Sequence, residues 1–451
     1  MATQTLANWA VSLKYTSIPQ EVTQAAVRSF YNWVGCTVGG SAHPATTIAR
    51  TALARFSGAP TSRLLGSDGS IDVDAMHAAL FNGIASHVHD YDDTHLDTII
   101  HPTGPVAAAL LAMAEARDQP CSGPDFITAL VAGIEAECKV GKAVWPDHYD
   151  VGWHITSTTG SIGAAVAVSK LLSLNASQTA HAIGVAATQV TGLREMFGSH
   201  TKSFHPGRAA QNGLLAALLA AEGYTSSDQA LEAKRGWANV ASTINNLDAE
   251  IASLGPAGRW EIAQNAFKPF PCGIVVHPII DGCVGIHAEM KKQGISPAQI
   301  EEVHADVHPL VLELTGKTTP KDGLEAKFSV YHGATIGLLF GKGTPAQYED
   351  AVVNDASVVA LRALIKATAD TSLRADECRL TVKVKGQSAP IAKHVDHAVG
   401  SLEVPMTDKL LTEKFVDQCI PVLGAERTDT ASAWCWDLEK QADVRRIKDV
   451  L

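Results

Sequence analysis

Long stretches rich in alanine and glycine, apolar on nearly every face, recur through the first half of the chain and constrain its fold more than any other feature. VAAALLAMAEA at 106–116, FITALVAGIEAECKVGKAV at 126–144, SIGAAVAVSKLLSL at 161–174 and NGLLAALLAAEG at 212–223 are all of helix length. A helix without a polar face must be surrounded by other helices, and small residues let such helices cross closely. Residues 1–262 are therefore expected to form a large all-α bundle. Ser177 and Ser227 are read as N-caps of two further helices.

The texture changes after about Ala263. HPIIDGCVGIHAEMKKQG at 277–294 reads as a helix closed by Gly294, and EEVHADVHPLVLEL at 301–314 alternates as a strand does. RLTVKVKGQ at 379–387 is a second strand. AKFSVYHGATIGLLFG and ASVVALRALIKATAD between them read as helices, and helical character returns in DKLLTEKFVDQCI and in the final DLEKQADVRRIKDVL. The fold class is thus mostly α. The large helical domain takes residues 1–262 plus 400–451, and 263–399 form a smaller α+β lid inserted between them.

Of the 451 residues 46% are hydrophobic and only 18% charged, which supports a large core and argues against disorder. The formal charge of −11, with no run of Lys or Arg, leaves no footprint for nucleic acid or an anionic membrane. The longest apolar runs, Val106 to Ala114 and Leu214 to Ala221, are shorter than the ~20 residues of a membrane span. The start, MATQTLANWAVSLKYTSIP, lacks the basic and apolar blocks of a secretory leader. A cytoplasmic protein is expected. The cysteines at 36, 121, 138, 272, 283, 378, 419 and 435 form no CxxC pair and are expected to be reduced.

Four segments carry chemistry. His87-Val-His89-Asp90-Tyr91-Asp92-Asp93-Thr94-His95, followed by His101-Pro102-Thr103-Gly104-Pro105, fits a metal site, a metal-free acid/base pocket or a solvated acidic loop. The second, Asp147 to Gly160, sets Tyr149 and His154 beside a hydroxyl-rich helix start suited to a carboxylate. In the third, His200, Lys202, His205 and Arg208 fall between 199 and 208 with no acid among them, the local cationic loop that an acidic protein needs to hold a polycarboxylate. In the fourth, Asn265 to Gly273, Lys268 sits among aromatic rings and prolines ahead of His277, where partial desolvation would suit it to proton transfer. Cys272 reads as a buried structural thiol.

Together and in this order, HDYDDTH with HPTG, HYDVGWH, TKSFHPGRAAQNG and KPFPCG with HP resemble the MmgE/PrpD family of 2-methylcitrate dehydratases, cis-aconitate decarboxylases and iminodisuccinate epimerases. The resemblance implies a homodimer without metal or organic cofactor, acting on a small anionic polycarboxylate in a cleft between the two domains. It implies Lys268, Tyr149, His101, His154 and Asp90 as catalytic residues, and Lys202, Thr94, His277, Arg208 and His205 around the substrate. The family's usual Pro after the second histidine is Ile155 here.

Such a pocket removes or delivers a proton beside a carboxylate and stabilises an enediolate-like anion. Lys268 would move the proton, Tyr149 would act on the opposite face, and Lys202, His101 and His154 would hold carboxylates. The expected function is a cofactor-independent lyase on a di- or tricarboxylic acid, with dehydration the outcome that asks least beyond the shared pocket and decarboxylation beside it. The alternative is an epimerase of a dicarboxylate such as iminodisuccinate with a Tyr/Lys two-base mechanism. From another class, HVHDYDDTH would serve a metal-dependent hydrolase.

Overall fold

A computed structural model describes residues 1–67 and 72–451. It is 60% helical with 9% strand, a mostly α protein. One hydrophobic core draws on residues from Ala2 to Phe267 and again from Met406 to Leu451, while a second, separate core is built from residues between Cys272 and Ala398. We propose that the smaller lobe is an insertion carried on the larger one.

The larger lobe is organised around the helix Ile155–Leu171, which is buried almost throughout and packs between Gly123–Val144 and His200–Ala221. With no polar face, it owes its position entirely to its neighbours. Glycine sets how closely these helices approach. Where Ala75–His87 crosses His200–Ala221, a Cβ on Gly83 would lie 2.5 Å from the Gly207 Cα, and one on Gly207 would lie 2.4 Å from the Leu80 carbonyl oxygen.

The smaller lobe holds a four-stranded sheet, ordered 365–369, 300–307, 378–384, 391–395, whose first pair is parallel and whose other pairs are antiparallel. Helices His277–Lys292 and Val330–Phe340 pack together beside it. Strand alternation is clear in Cys378–Val384, where every second residue is buried.

Several local expectations are corrected. Asn175, not Ser177, caps the helix Ala176–Ala187, because its side chain accepts from the Gln178 N–H. Ser227 precedes a run of turns, not a helix. The strand expected over 301–314 ends at Val307, and Pro309 then opens the short helix Pro309–Thr315, since a fixed φ and a missing N–H suit a first helical turn. In ASVVALRALIKATAD the helix stops at Arg362 and Ile365–Ala369 joins the sheet. The final segment forms the short 3-10 turns Leu438–Lys440 and Val444–Asp449. The cationic segment 199–208, expected as a loop, is the first part of the helix His200–Ala221, with Pro206 inside it.

The segment between Ala75–His87 and Thr103–Ala116 positions the site. Its strand Asp93–His95 pairs antiparallel with Asn265–Phe267, Asp93 opposite Phe267 and His95 opposite Asn265. The Thr103 hydroxyl and the Asn265 amide both donate to one Asp93 carboxylate oxygen, at 2.6 and 2.8 Å. This small ladder joins the acidic segment to the residue immediately before Lys268.

Overpacking the glycine crossing is expected to cost about 1–3 kcal/mol. Gly207→Ala should lower stability in urea denaturation by that amount. Gly285→Ala, on His277–Lys292, would meet only the Lys393 side chain at 3.6 Å and should be neutral or stabilising. Equal effects of the two substitutions would contradict the packing described.

Candidate active site

Asp90 is the centre of a cleft between the lobes. Its backbone has φ +53°, in the left-handed region that costs a non-glycine residue stability and persists only where surrounding structure enforces it. One carboxylate oxygen, Oδ1, accepts from Lys268 Nζ at 2.6 Å and lies 2.9 Å from Lys202 Nζ. The other, Oδ2, is buried without a partner among the described residues. Burial by itself would raise the Asp90 pKa, but the two ammonium groups overcome it and hold the carboxyl well below the usual carboxylate range.

Lys202 comes from the first turn of His200–Ala221, with its ammonium 5.3 and 5.2 Å from the ring centroids of Phe197 and Phe328. Burial pulls its pKa down and Asp90 pushes back. Lys268 follows the strand Asn265–Phe267 and also donates to the Cys272 carbonyl at 3.2 Å. The cleft thus carries two ammonium groups against one carboxylate, the local positive excess that an anionic substrate requires.

His101 and His154 line the same cleft. His101 Nδ1 donates to the Asp93 carbonyl at 2.8 Å; a carbonyl can only accept, so the proton sits on Nδ1 and Nε2 is left as the acceptor. His154 is the N-cap residue of Ile155–Leu171, and its Nδ1 is 2.8 Å from His205 Nδ1, one ring donating to the other. Burial pulls His101 down to about 3, against the opposing Asp92 carboxylate, and His154 well below its ordinary value, with neighbouring cations adding to the effect at both. Both are neutral at physiological pH. Tyr149 also lines the cleft; burial raises its phenol to about 12, opposed by the Arg194 guanidinium 4.1 Å from its ring centroid.

The structure therefore brings Asp90, His101, Tyr149, His154, Lys202 and Lys268 to one cleft. The other named residues stand outside it. Thr94 is wholly buried, with its hydroxyl 3.3 Å from His101 Nδ1. His205 backs His154. His277 is buried against Phe270, and burial pulls its pKa to about 3. Arg208 donates to Gln211 on its own helix and does not reach the cleft. It lies six residues beyond Lys202 on the helix that replaced the expected loop, roughly 120° round the helix axis, so it cannot turn the same way as Lys202.

Two sets of contacts were not legible in the sequence. Phe197 and Phe328 flank Lys202, and neither stands in a motif that marks it. His87 Nδ1 donates to Asp92 Oδ2 at 2.7 Å, with His101 3.6 Å from Asp92 Oδ1, and burial of Asp92 is outweighed by these histidines, which lower its pKa. His87, Asp92 and His101 offer ligand atoms within 4.8 Å of one another. Of the HVHDYDDTH segment on which the metal-hydrolase alternative rested, His89 is not part of this grouping: it bonds the Gly39 carbonyl at 3.2 Å.

A mostly helical chain with such a set of titratable groups in an interlobe cleft is an enzyme by class. It belongs to the MmgE/PrpD family, whose N-terminal domain matches residues 4–250 and whose C-terminal domain matches residues 270–438. It is 27% identical to a cis-aconitate decarboxylase-like protein of Aspergillus oryzae over 99% of this chain and 96% of that protein. The human cis-aconitate decarboxylase is 27% identical over 100% of this chain and 94% of its own length. A 2-methylcitrate dehydratase of Salmonella typhimurium is 25% identical over 48% of this chain and 45% of its own. Among the described residues no helix is long and apolar enough to cross a membrane.

The depressed histidine values have a direct consequence. Below its unfolded value of ~6.5 an exposed histidine charges, whereas in the folded protein His101, pulled down to about 3, should remain neutral to well below pH 5 and His154 should stay neutral where an exposed histidine charges. Imidazole 15N chemical shifts across a pH titration check this, and protonation of either ring above pH 6 would contradict it.

Proposed function

We propose that this enzyme is a lyase that decarboxylates an unsaturated tricarboxylic acid of the cis-aconitate type. The observation that carries the proposal is the pair of ammonium groups, Lys202 and Lys268, meeting at one buried carboxylate in a cleft otherwise lined by neutral histidines and apolar side chains. It is supported by the relatives, since the human decarboxylase and the decarboxylase-like protein of Aspergillus oryzae align along essentially the whole chain and the dehydratase along less than half of it.

Lys202 holds one substrate carboxylate, and the neutral His101 and His154 orient another. A water-poor site favours loss of CO2, because a carboxylate leaving as a neutral molecule no longer needs solvation. When the C–C bond to the carboxylate on the saturated arm breaks, its electron pair enters the allylic system conjugated with the remaining carboxylates. Lys202 stabilises that delocalised negative charge. Lys268 then delivers a proton to the far allylic carbon, which moves the double bond. Asp90 accepts from Lys268 and keeps it aimed until transfer.

The same groups would serve dehydration if a β-hydroxyl were present, and Tyr149 is available to a second face of the substrate. NMR of turnover in deuterated water, with cis-aconitate, 2-methylcitrate, citrate and iminodisuccinate, separates these outcomes. The expected result is CO2 release from cis-aconitate with one solvent deuterium at the newly saturated carbon. Water loss from 2-methylcitrate, or deuterium exchange in iminodisuccinate without net conversion, would replace this reading with dehydration or epimerisation.

The lysines should separate kinetically. Lys268→Met removes the proton donor and is expected to lower kcat by about 10²- to 10⁴-fold. Lys202→Met removes a charged hydrogen bond of about 1.5–3 kcal/mol and should raise KM by roughly 10- to 100-fold, with a smaller fall in kcat from the lost charge stabilisation. A variant of Lys268 with unchanged kcat would contradict the assignment.

A further inference from the structure

Two buried lysines take no part in the chemistry above. Lys414 lies on the helix Asp408–Leu423 of the larger lobe, and Lys327 follows the short helix Gly323–Ala326 of the smaller one; each is 4% exposed. Neither forms an ion pair with a carboxylate among the described residues. Their donors go to main-chain carbonyls instead. Lys414 Nζ donates to Tyr91 O at 2.5 Å, to Lys268 O at 2.8 Å and to the Asn32 side chain at 2.7 Å. Lys327 Nζ donates to His89 O at 2.8 Å and to Pro271 O at 3.0 Å.

The pattern of acceptors is specific. His89 and Tyr91 are the residues immediately before and after Asp90, whose backbone is the strained one. Lys268 and Pro271 bracket the turn that presents the second partner of the Asp90 ion pair. Each lysine ties one carbonyl beside Asp90 to one carbonyl of the 268–271 turn, from opposite sides and opposite lobes. The rings of Tyr91 and Tyr348 lie 4.0 and 4.8 Å from the two ammonium groups and limit their movement.

We propose that Lys327 and Lys414 are positioning residues, a two-sided clamp that fixes the strained Asp90 backbone against the Lys268 turn and so sets the Asp90–Lys268 contact. The clamp touches no substrate. It rests on the assignment of Lys268 as the proton donor and of Asp90 as the residue that aims it. Burial pushes both clamp ammonium groups down to about 8, a desolvation cost that their carbonyl partners must offset. A lysine placed for stability alone would be better served by a carboxylate. Main-chain acceptors on both sides of one catalytic residue instead fix backbone geometry, and a displacement of about 1 Å at such a site is worth about 10²-fold in rate.

The test compares Lys327→Met and Lys414→Met with Lys139→Met, a control at a lysine that is also buried but pairs with Glu261 at 2.7 Å, outside the cleft. All three should lose stability. At a temperature where thermal melts show every variant folded, Lys327→Met and Lys414→Met should lower kcat by about 10²-fold with KM unchanged, while Lys139→Met keeps the parent kcat. Crystal structures of the two clamp variants should show the 2.6 Å Asp90–Lys268 contact opened. If a Met variant does not fold, Lys327→Gln and Lys414→Gln, which keep a neutral donor, should give smaller losses in the same direction. Parent kcat per folded molecule with the contact intact would overturn the clamp. If the parent protein turns over none of the acids, the functional proposal fails, and the crystallographic contact alone still decides the clamp.

Discussion

One buried carboxylate between two ammonium groups is the interaction on which the rest of this molecule depends. An isolated Asp90 at this depth would be driven towards its neutral form, and an isolated Lys202 likewise. Placed within 2.9 Å of each other they remain charged, and Lys268 at 2.6 Å completes a cluster with a net positive charge. Removing one member of a buried cluster of this kind is costly because it strands the others. The cleft can therefore receive an anion without the protein first having to charge a group in a low-dielectric site.

The fold supplies that cluster from elements far apart in the chain. Asp90 comes from a segment pinned by its ladder to Asn265–Phe267, Lys202 from a helix whose position is set by a glycine-to-glycine crossing, and Lys268 from the junction between the lobes. Neutral histidines surround the charged centre, and each is oriented by a second group: His101 by the Asp93 carbonyl, His154 by His205. A further layer of polar groups lies below. Burial raises Asp93 to about 7 even though Thr103 and Asn265 donate to it, so this acid carries a proton more readily than an exposed one. The cationic excess is concentrated where a substrate would meet it, with His101 and His154 beside it held neutral.

Much of this could be read from the residues alone, for physical reasons. Helices such as 106–116 and 126–144 are long, apolar all round and rich in alanine, and only burial among other helices accommodates them. The chemistry-bearing residues of the cleft lay in short runs of unusual composition, so Tyr149, His154, Lys202 and Lys268 stood out, while Asp90 was singled out within its acidic run only by the family resemblance. What did not show was anything set by tertiary approach. Arg208 seemed equivalent to Lys202 until the expected loop proved to be a helix, which turns the two apart. Ile365–Ala369 looked like a helical continuation because its strand identity comes from pairing with Ile300–Val307, a contact distant in sequence. Lys327 and Lys414 sit in ordinary amphipathic patterns, and only their carbonyl partners reveal that they meet the Asp90 segment.

The account stands or falls on whether the ammonium pair at Asp90 is where a polycarboxylate binds. The most direct measurement is a crystal structure with a saturated tricarboxylate that cannot lose CO2, tricarballylate. The arrangement described predicts the acid in the interlobe cleft, with one carboxylate at hydrogen-bond distance, about 2.7–2.9 Å, from Lys202 Nζ and a second beside His101 or His154. Density for the acid elsewhere, or an empty cleft at a concentration that saturates binding in solution, would contradict it.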